Sequence, residues 1–484
     1  MLALFGFPFW GGCTAFLLRT DRSRRILLLA CAILHLFLTM AAWKVQLRPE
    51  LNGWLALDTL GLLFLTLISL LFMAAALYAV GYLRRESHGR IKDFEEGVLF
   101  SNEPEAVFIG CLLFFLGTMT LVTLSQRFGL LWVAIEATTL SSAPLIYFHR
   151  HHRSLEAAWK YLLICSVGIA LALLGSFFLV VAAQGTGGRT LIVQDMVQHA
   201  AHLRGPWLKA AFLLLLIGYG TKMGLAPLHT WLPDAHSEAP SVVSALLSGA
   251  LLNCAFLGIL RVVQVCVAAG LLSFVQGLLT GFGLLSMGVA AVFIVGQADY
   301  KRMLAYSSVE HMGIMALGVG LGGAGIFGAL LQAVNHSLAK AMLFLTAGNI
   351  LGVYKTKTVS GVRGALRVLP VSGALWVAGF LMITGSPPFG LFPSEFAILK
   401  AALDGGHGGV AAAYLLSLAL IFIGMAGIFL RMAQGEAPSP RCPEPWWSIL
   451  PPLLLGLGVL VLGLYVPPFL TAALQTISRT LGAP

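Results

Sequence analysis

Apolar residues run along this chain in blocks longer than the core of a soluble protein requires. Broken at charge clusters and Pro/Gly turns, the sequence gives fourteen blocks, near 1–18, 26–43, 56–82, 106–124, 128–148, 159–183, 208–226, 240–265, 270–297, 303–321, 325–352, 369–402, 409–431 and 447–474. A helix needs about 20 apolar residues to cross a hydrocarbon core about 30 Å thick. In lipid the backbone amides and carbonyls must be satisfied within the segment, and for runs of this kind that means helix. The pattern predicts an all-α polytopic membrane protein of about fourteen transmembrane helices.

Two blocks are interrupted by proline: the seventh, around Lys222 to Pro227, and the twelfth, at Pro387 and Pro388. Proline removes an amide donor and clashes with the preceding turn, so in lipid the freed carbonyls must line a polar cavity or find another partner. Broken helices at matching places in two halves point to an ion path in transporters built from inverted repeats. The expected organisation is helices one to three over 1–105, a first five-helix repeat over 106–265, a second over 266–431 and a last helix over 432–484. The seventh and twelfth helices are then equivalents.

Composition agrees. Hydrophobic residues make up 58% of the 484 and charged residues 10%, and mean hydropathy is +0.89, so most side chains must be solvated by lipid. Met1 to Leu18 is apolar from its first residue and its basic cluster follows, the reverse of a secretory signal, so it reads as the first transmembrane helix. The seven cysteines are scattered, without CxxC or Cys/His spacing, which suits buried thiols. No zinc, haem or iron–sulfur motif is encoded, and any electron transfer is expected in a partner. The net charge of +10 needs no nucleic acid: basic residues gather in cytoplasmic loops of membrane proteins. One set of alternating loops holds eighteen Lys and Arg, among them Arg22, Arg84, Arg90, Arg153, Lys301 and Lys357, and the other holds eight, among them Lys44, Arg127, Arg189 and Arg261. With an even helix count, both termini are expected outside the cytoplasm, in an inner (cytoplasmic) membrane.

An ionised side chain at the bilayer centre costs about 3 kcal/mol on insertion scales, so ionisable residues inside apolar blocks mark pathways. Glu136 lies within FGLLWVAIEATTLSSAPLIYF, either as a proton-exchanging carboxylate or as a protonated acid bonded to a neighbouring helix. Lys222 stands at the break in the seventh block. Burial lowers a lysine pKa and a nearby carboxylate raises it, so a Glu–Lys pair of changing separation can bind and release a proton; the alternative is a lysine snorkelling to the interface. His336 and Lys340 are four apart in NHSLAKAMLFL and share a helical face. Histidine titrates near neutrality, or simply packs. Glu395, seven residues beyond Pro388, is a pathway carboxylate or a helix-capping or interfacial one. Lys160, at the start of the sixth helix beside Glu156, and Asp58, near the start of the third, are accessory candidates that equally read as interfacial ion pairs. His229 and Asp234 follow the break as further accessory positions. DAHSEAPS, with Asp234, His236 and Glu238, reads as a loop and helix start before the eighth helix, its residues caps and turn formers rather than a metal site.

KMGLAPLHTWLPDAHSEAPS, ADYKRMLAYSSVEHMG and NHSLAKAMLFL resemble the signature stretches of the antiporter-like subunits shared by complex I, Mrp-type sodium/proton antiporters and energy-converting hydrogenases, in the same order along essentially the whole chain. IEATTLSSAPLIYFHRHHRSLEAAWKYLLICSVGIALALLG and SALLSGALLNCAFLGILR are most similar to the branch formed by component F of hydrogenase 4. The resemblance makes Glu136 the fifth-helix glutamate, Lys222 its seventh-helix lysine partner, His336 the eleventh-helix relay histidine, Lys340 the lysine that follows it and Glu395 the twelfth-helix gate. Many relatives carry a lysine in the eighth helix where this chain has Asn253, which can hold water but cannot store a proton as charge. The chain ends soon after the fourteenth block, so the long lateral helix of one distal complex I subunit is expected to be absent.

The resemblance implies a proton-translocating subunit of a formate hydrogenlyase-type hydrogenase or related respiratory complex. Its expected partners are other membrane-arm subunits, a peripheral hydrogenase or related redox arm, and the lipid bilayer, with no catalytic centre, cofactor or metal of its own. The competing readings are a non-conducting anchoring subunit, and a subunit of complex I or of an Mrp-type antiporter.

Overall fold

The computed structural model describes every residue except Gln46, 87–90, 93–96, 98, 185–190, 437–439 and 484. Arg90 and Arg189, used above to orient the loops, lie outside the described residues. Helices carry the fold: α1 Leu2–Leu17, α2 Asp21–Ala42, α3 Thr59–Arg85, α4 Glu105–Leu124, α5 Phe128–Ile146, α6 His152–Ala182, α7 Val193–Gln198, α8 Gly205–Met223, α9 Trp231–Glu238, α10 Ser241–Leu246, α11 Leu252–Ala268, α12 Leu272–Ile294, α13 Tyr300–Leu321, α14 Ala324–Tyr354, α15 Ala365–Val368, α16 Pro370–Ile383, α17 Leu391–Asp404, α18 Gly408–Ala433, α19 Trp446–Leu464 and α20 Pro468–Thr480. A two-residue antiparallel ladder pairs Ile91 with Phe100.

Every apolar block coincides with helix. Ten helical stretches among the described residues are long and apolar enough to cross a membrane unaided. The other blocks are short, as α1, broken, as α8–α9 and α16–α17, or carry more charge, as α13. Outer helices present large apolar side chains outward: Trp159, Leu163 and Val167 on α6 and Leu416, Ile423 and Leu430 on α18 are all exposed. Contiguous apolar surface at helical spacing is what a lipid-facing wall requires. α10–α11, α13 and α14 are buried on nearly every side.

Some boundaries move. α6 begins at His152, seven residues before the block suggested, because the His151 ring accepts from the Ser154 amide and caps it; Lys160 therefore sits two turns inside the helix. DAHSE is not loop: it ends α9. The last block divides at Pro467–Pro468 into α19 and α20, as two prolines that cannot continue a helix dictate.

Both predicted breaks are present and are built alike. α8 ends on Gly224 at φ +87° and α16 is followed by Gly385 at φ +62°, a left-handed conformation that glycine adopts without the Cβ clash. After the first, Leu225 N donates to Gly220 O and Gly224 N to Thr221 O; after the second, Ser386 N donates to Leu381 O and Gly385 N to Met382 O. Each is a Schellman closure. In the eighth block a five-residue π turn, Leu247–Leu251, joins α10 to α11, widening the helix just before Asn253.

Candidate functional site

The first cluster forms where α5, α6 and α8 meet. Lys222, in the last turn of α8, is fully buried. Its ammonium does not snorkel: Nζ donates to Thr139 Oγ1 at 2.7 Å and to Tyr161 OH at 2.6 Å and lies 4.4 Å from the Tyr161 ring centroid, a favourable place for a cation. Thr139 is one turn beyond Glu136 on α5 and donates to Glu136 Oε2 at 3.3 Å. Ser166 donates to Oε1 at 3.3 Å. The predicted Glu–Lys couple thus meets through a hydroxyl. Tyr161 OH continues the network to Ser142 Oγ at 2.7 Å. At the break below, Trp231 Nε1 donates at 2.8 Å to the Thr221 carbonyl, which also accepts from Gly224 N, and this fixes the start of α9 under Lys222.

The second cluster is a polar seam between α13 and α14. Gln332, His336 and Lys340 recur every fourth residue on α14 and face Ser307, Glu310 and His311 of α13. All six are buried. His311 Nε2 donates to Ile383 O at 3.1 Å, the last carbonyl of α16, and its Nδ1 accepts from Gln332 Nε2 at 2.9 Å. Gln332 Nε2 also donates to Glu395 Oε1 at 3.1 Å, and Ser394 Oγ donates to Gln332 Oε1. Glu395 therefore sits inside α17 as a buried acceptor, not as a cap. The His336 ring lies 5.1 Å from that of His311 between centroids, tilted by 45°, and both its nitrogens lack hydrogen-bond partners among the described residues. Lys340 Nζ donates to Leu304 O at 2.6 Å and to Ser307 Oγ.

Asn253 stands between the clusters. Its Nδ2 donates to Gly249 O at 2.9 Å and to Ser337 Oγ at 2.6 Å, while Oδ1 is buried without a partner among the described residues. Ser337 adjoins His336, so α11 is tied to the second cluster. On the other side Cys254, next to Asn253, is close enough to Lys222 for the two to interact electrostatically. No hydrogen bond joins Lys222 to Asn253 among the described residues.

The accessory candidates fall elsewhere. Lys160 is exposed and pairs with Glu156 at 2.6 Å and Asp234 at 3.1 Å, and Asp234 also meets Arg302 at 3.0 Å. Asp58 caps α3 through Gly61 N at 2.9 Å and holds buried Arg261 in a two-pronged pair at 2.5 and 2.6 Å. His229 is buried beside the rings of Phe293 and Tyr306. None is hydrogen-bonded to Lys222 or Glu395 among the described residues.

A cavity of about 430 Å³ opens at the face carrying the basic loops, lined by His149, His151, Glu238, Lys301 and Lys357 among others. Lys357 pairs with Glu238 at 2.7 Å. Lys301 donates to Ser237 O and Ala239 O at 2.9 and 2.6 Å, satisfying carbonyls at the end of α9. Burial, aided by His151, Lys301 and Lys357, pushes the His149 imidazole in the α5–α6 connection down to about 3; neutral, it lies 2.8 Å from Asn102 Oδ1 and 3.1 Å from Tyr82 OH.

The fold that carries these two broken helices is shared with known proteins. Residues 125–422 match the family described as NADH:quinone oxidoreductase/Mrp antiporter, transmembrane. The chain belongs to this family. It is an antiporter-like membrane subunit, 37% identical over 427 residues to the hydrogenase-4 component F homolog of Methylacidiphilum infernorum, a match covering 86% of each chain. Its fold is that of a chain in the membrane-bound sulfane sulfur reductase, an archaeal respiratory membrane complex, with a TM-score of 0.86 at 21% identity over 100% of this chain and 97% of that one. A chain of the Mrp complex from a Dietzia species superposes with a TM-score of 0.84 at 21% identity, over 99% and 97%.

The sequence reading did not single out Thr139, Tyr161, Glu310, His311 or Gln332. Glu310 and His311 lie inside ADYKRMLAYSSVEHMG, and a carboxylate and imidazole within an apolar block were a signal in plain view. Thr139, Tyr161 and Gln332 are neutral, and only their partners reveal them.

Proposed function

We propose that this subunit translocates protons across the inner (cytoplasmic) membrane, driven by redox chemistry in partner subunits of a hydrogenase-4-type complex. The observation that carries the reading is the Lys222–Thr139–Glu136 chain: a buried ammonium joined to a carboxylate by one hydroxyl, at the end of a broken helix. A proton leaving Lys222 has a hydrogen-bonded route to Glu136, and the amine that remains has Tyr161 as partner. Asn253 and Ser337 connect toward His336, and the path continues over His311 and Gln332 to Glu395 at the second break. Lys340 supplies the second buried ammonium.

The organisation that goes with this reading is fourteen crossings with both termini on the non-cytoplasmic side. Two inverted five-helix repeats span 106–265 and 266–431, between helices one to three in 1–105 and the last in 432–484. The matching Schellman closures at Gly224 and Gly385 support the repeat. Glu136 is only half-buried, in a wall where Val133 and Leu140 are exposed; a carboxylate is costly against lipid, so a neighbouring membrane-arm subunit is the fitting cover. A peripheral hydrogenase or related redox arm completes the complex.

The test is Glu136→Gln in the intact complex in sealed vesicles. Protons moved per electron pair should fall by about 100-fold, the low end of what a positioned proton-transfer group contributes, while electron transfer to an uncoupled acceptor persists. Normal pumping would make this carboxylate structural.

A further inference from the structure

Glu310 has no part in the route above, yet it is 1% exposed, and its Oε2 has no hydrogen-bond partner among the described residues. A buried carboxylate without a partner is among the costliest arrangements a membrane protein can hold, and such residues persist where they are used. Two ionisable groups lie near it. Lys340 on α14 and Glu395 on α17 are both close enough to interact with it electrostatically, and His311 follows it in sequence. It lies one turn beyond Ser307, the hydroxyl that accepts from the Lys340 ammonium.

The local chemistry repeats that of the first cluster with the chain direction reversed. There, Lys222 donates to Thr139, three residues after Glu136. Here, Lys340 donates to Ser307, three residues before Glu310. Residues three apart share a helix face, so in both clusters lysine, hydroxyl and carboxylate converge from two helices. The first carboxylate is bonded to its hydroxyl, whereas Ser307 Oγ donates to Leu304 O at 3.2 Å, leaving Glu310 open to receive.

We infer that Glu310 is the proton-storing carboxylate of the second half, paired with Lys340 as Glu136 is with Lys222. This rests on the reading of the chain as a proton conductor. One N–H bond of the Lys340 ammonium breaks and one O–H bond forms on Glu310 Oε2, turning an ammonium and a carboxylate into an amine and a carboxylic acid. The proton then passes to an imidazole nitrogen of His336, bare on both sides, and on toward Glu395. Glu310 and Glu395 repel each other when both are charged, so a proton arriving at one favours release from the other.

The experiment compares Glu310→Gln, Glu310→Asp and Glu136→Gln in the intact complex in sealed vesicles, reading protons per electron pair, electron transfer and complex abundance. Glutamine keeps the shape and hydrogen bonding of a protonated acid but cannot store a proton. The expected result is loss of most proton translocation in Glu310→Gln with electron transfer retained, and partial recovery in Glu310→Asp. Normal pumping by Glu310→Gln, with Glu136→Gln inactive, overturns this inference and leaves the proposed function standing. Normal pumping by both glutamine variants overturns the proposed function and this inference together. If Glu310→Gln fails to assemble, Glu310→Asp carries the test. A lower proton ratio and a shifted carboxylic-acid band in redox-difference infrared spectra support the role, and neither change overturns it.

Discussion

Lys222 and Glu136 communicate through the hydroxyl of Thr139, which accepts from the first at 2.7 Å and donates to the second at 3.3 Å. A direct ion pair would fix both charges; a bridging hydroxyl lets the lysine exchange partners between Thr139 and Tyr161 as its charge changes. Replacing Thr139 by the isosteric valine removes the bridge and little volume. A hydrogen bond to a charged group contributes about 1.5–3 kcal/mol, which corresponds to a roughly tenfold to hundredfold slower transfer. Thr139→Val should show this as slower proton uptake in vesicles, and Thr139→Ser should restore it. If Thr139→Val pumps at the normal rate, protons bypass the hydroxyl.

Asn253 stands between the clusters. Asn253→Leu removes donors from Gly249 O and Ser337 Oγ and eliminates the one buried polar atom there without a partner. The expected outcome is loss of translocation with little loss of complex, because an apolar side chain of similar size fills the site while drying it. Asn253→Lys should pump better than Asn253→Leu, since it returns a proton-storing group. Equal, normal pumping by both would mean that protons do not pass this point.

The Asp58–Arg261 pair makes a prediction about stability alone. Arg261 is 2% exposed and has Asp58 as its ion-pair partner. Burial pushes the Asp58 carboxyl up, but the Arg261 guanidinium outweighs it and holds the group below its ordinary value. A depressed carboxylate contributes stability that is complete above its unfolded pKa and disappears as pH falls through the folded one. Asp58→Asn should therefore destabilise the subunit near neutral pH by about 1–2 kcal/mol, well under the cost of breaking an enclosed pair, because 41% of the Asp58 side chain is open to solvent that screens the interaction, and the difference from the parent should vanish in acid. Thermal unfolding against pH measures this. The proton-to-electron ratio should not change.

What the sequence disclosed follows from what costs energy in lipid. Long apolar blocks and the prolines at 227, 387 and 388 dictate helices and breaks, and both breaks lie where proline placed them. Lys222, Glu136, His336 and Glu395 were visible because charge inside an apolar block is rare. Helix ends were less legible: the His151 cap and the helical DAHSE depend on partners that one-dimensional periodicity does not carry. Neutral residues were least legible. Thr139 looks like any helix-facing threonine until the Lys222 ammonium is found against it, and Gln332 is one polar residue among several in LLQAVNHSLAK. Asp58, read as an interfacial charge, is a cap whose second role depends on Arg261, far along the chain.

Gln332 offers the sharpest test of the second half. Its amide nitrogen donates to both His311 Nδ1 and Glu395 Oε1, and its carbonyl accepts from Ser394. One neutral side chain thus fixes the tautomer of His311, because a ring nitrogen that accepts from Gln332 leaves Nε2–H to cap the Ile383 carbonyl at the break. Gln332→Met keeps the length and removes every one of these bonds. Each buried group left bare costs about 1–3 kcal/mol, so the variant should unfold at a lower temperature. Glu395 would lose a stabilising donor and His311 its tautomer preference, so translocation should fall even in the fraction of complex that remains assembled. Gln332→Glu separates the two effects: its carboxylate still accepts from Ser394 but stands beside Glu395, and one of the two acids must then hold a proton. Stability should recover more than pumping. If Gln332→Met unfolds earlier yet moves the normal number of protons per electron pair, the His311–Gln332–Glu395 network holds α16 and α17 in place without conducting, and the exit from the second half must be sought at Glu310 and Lys340.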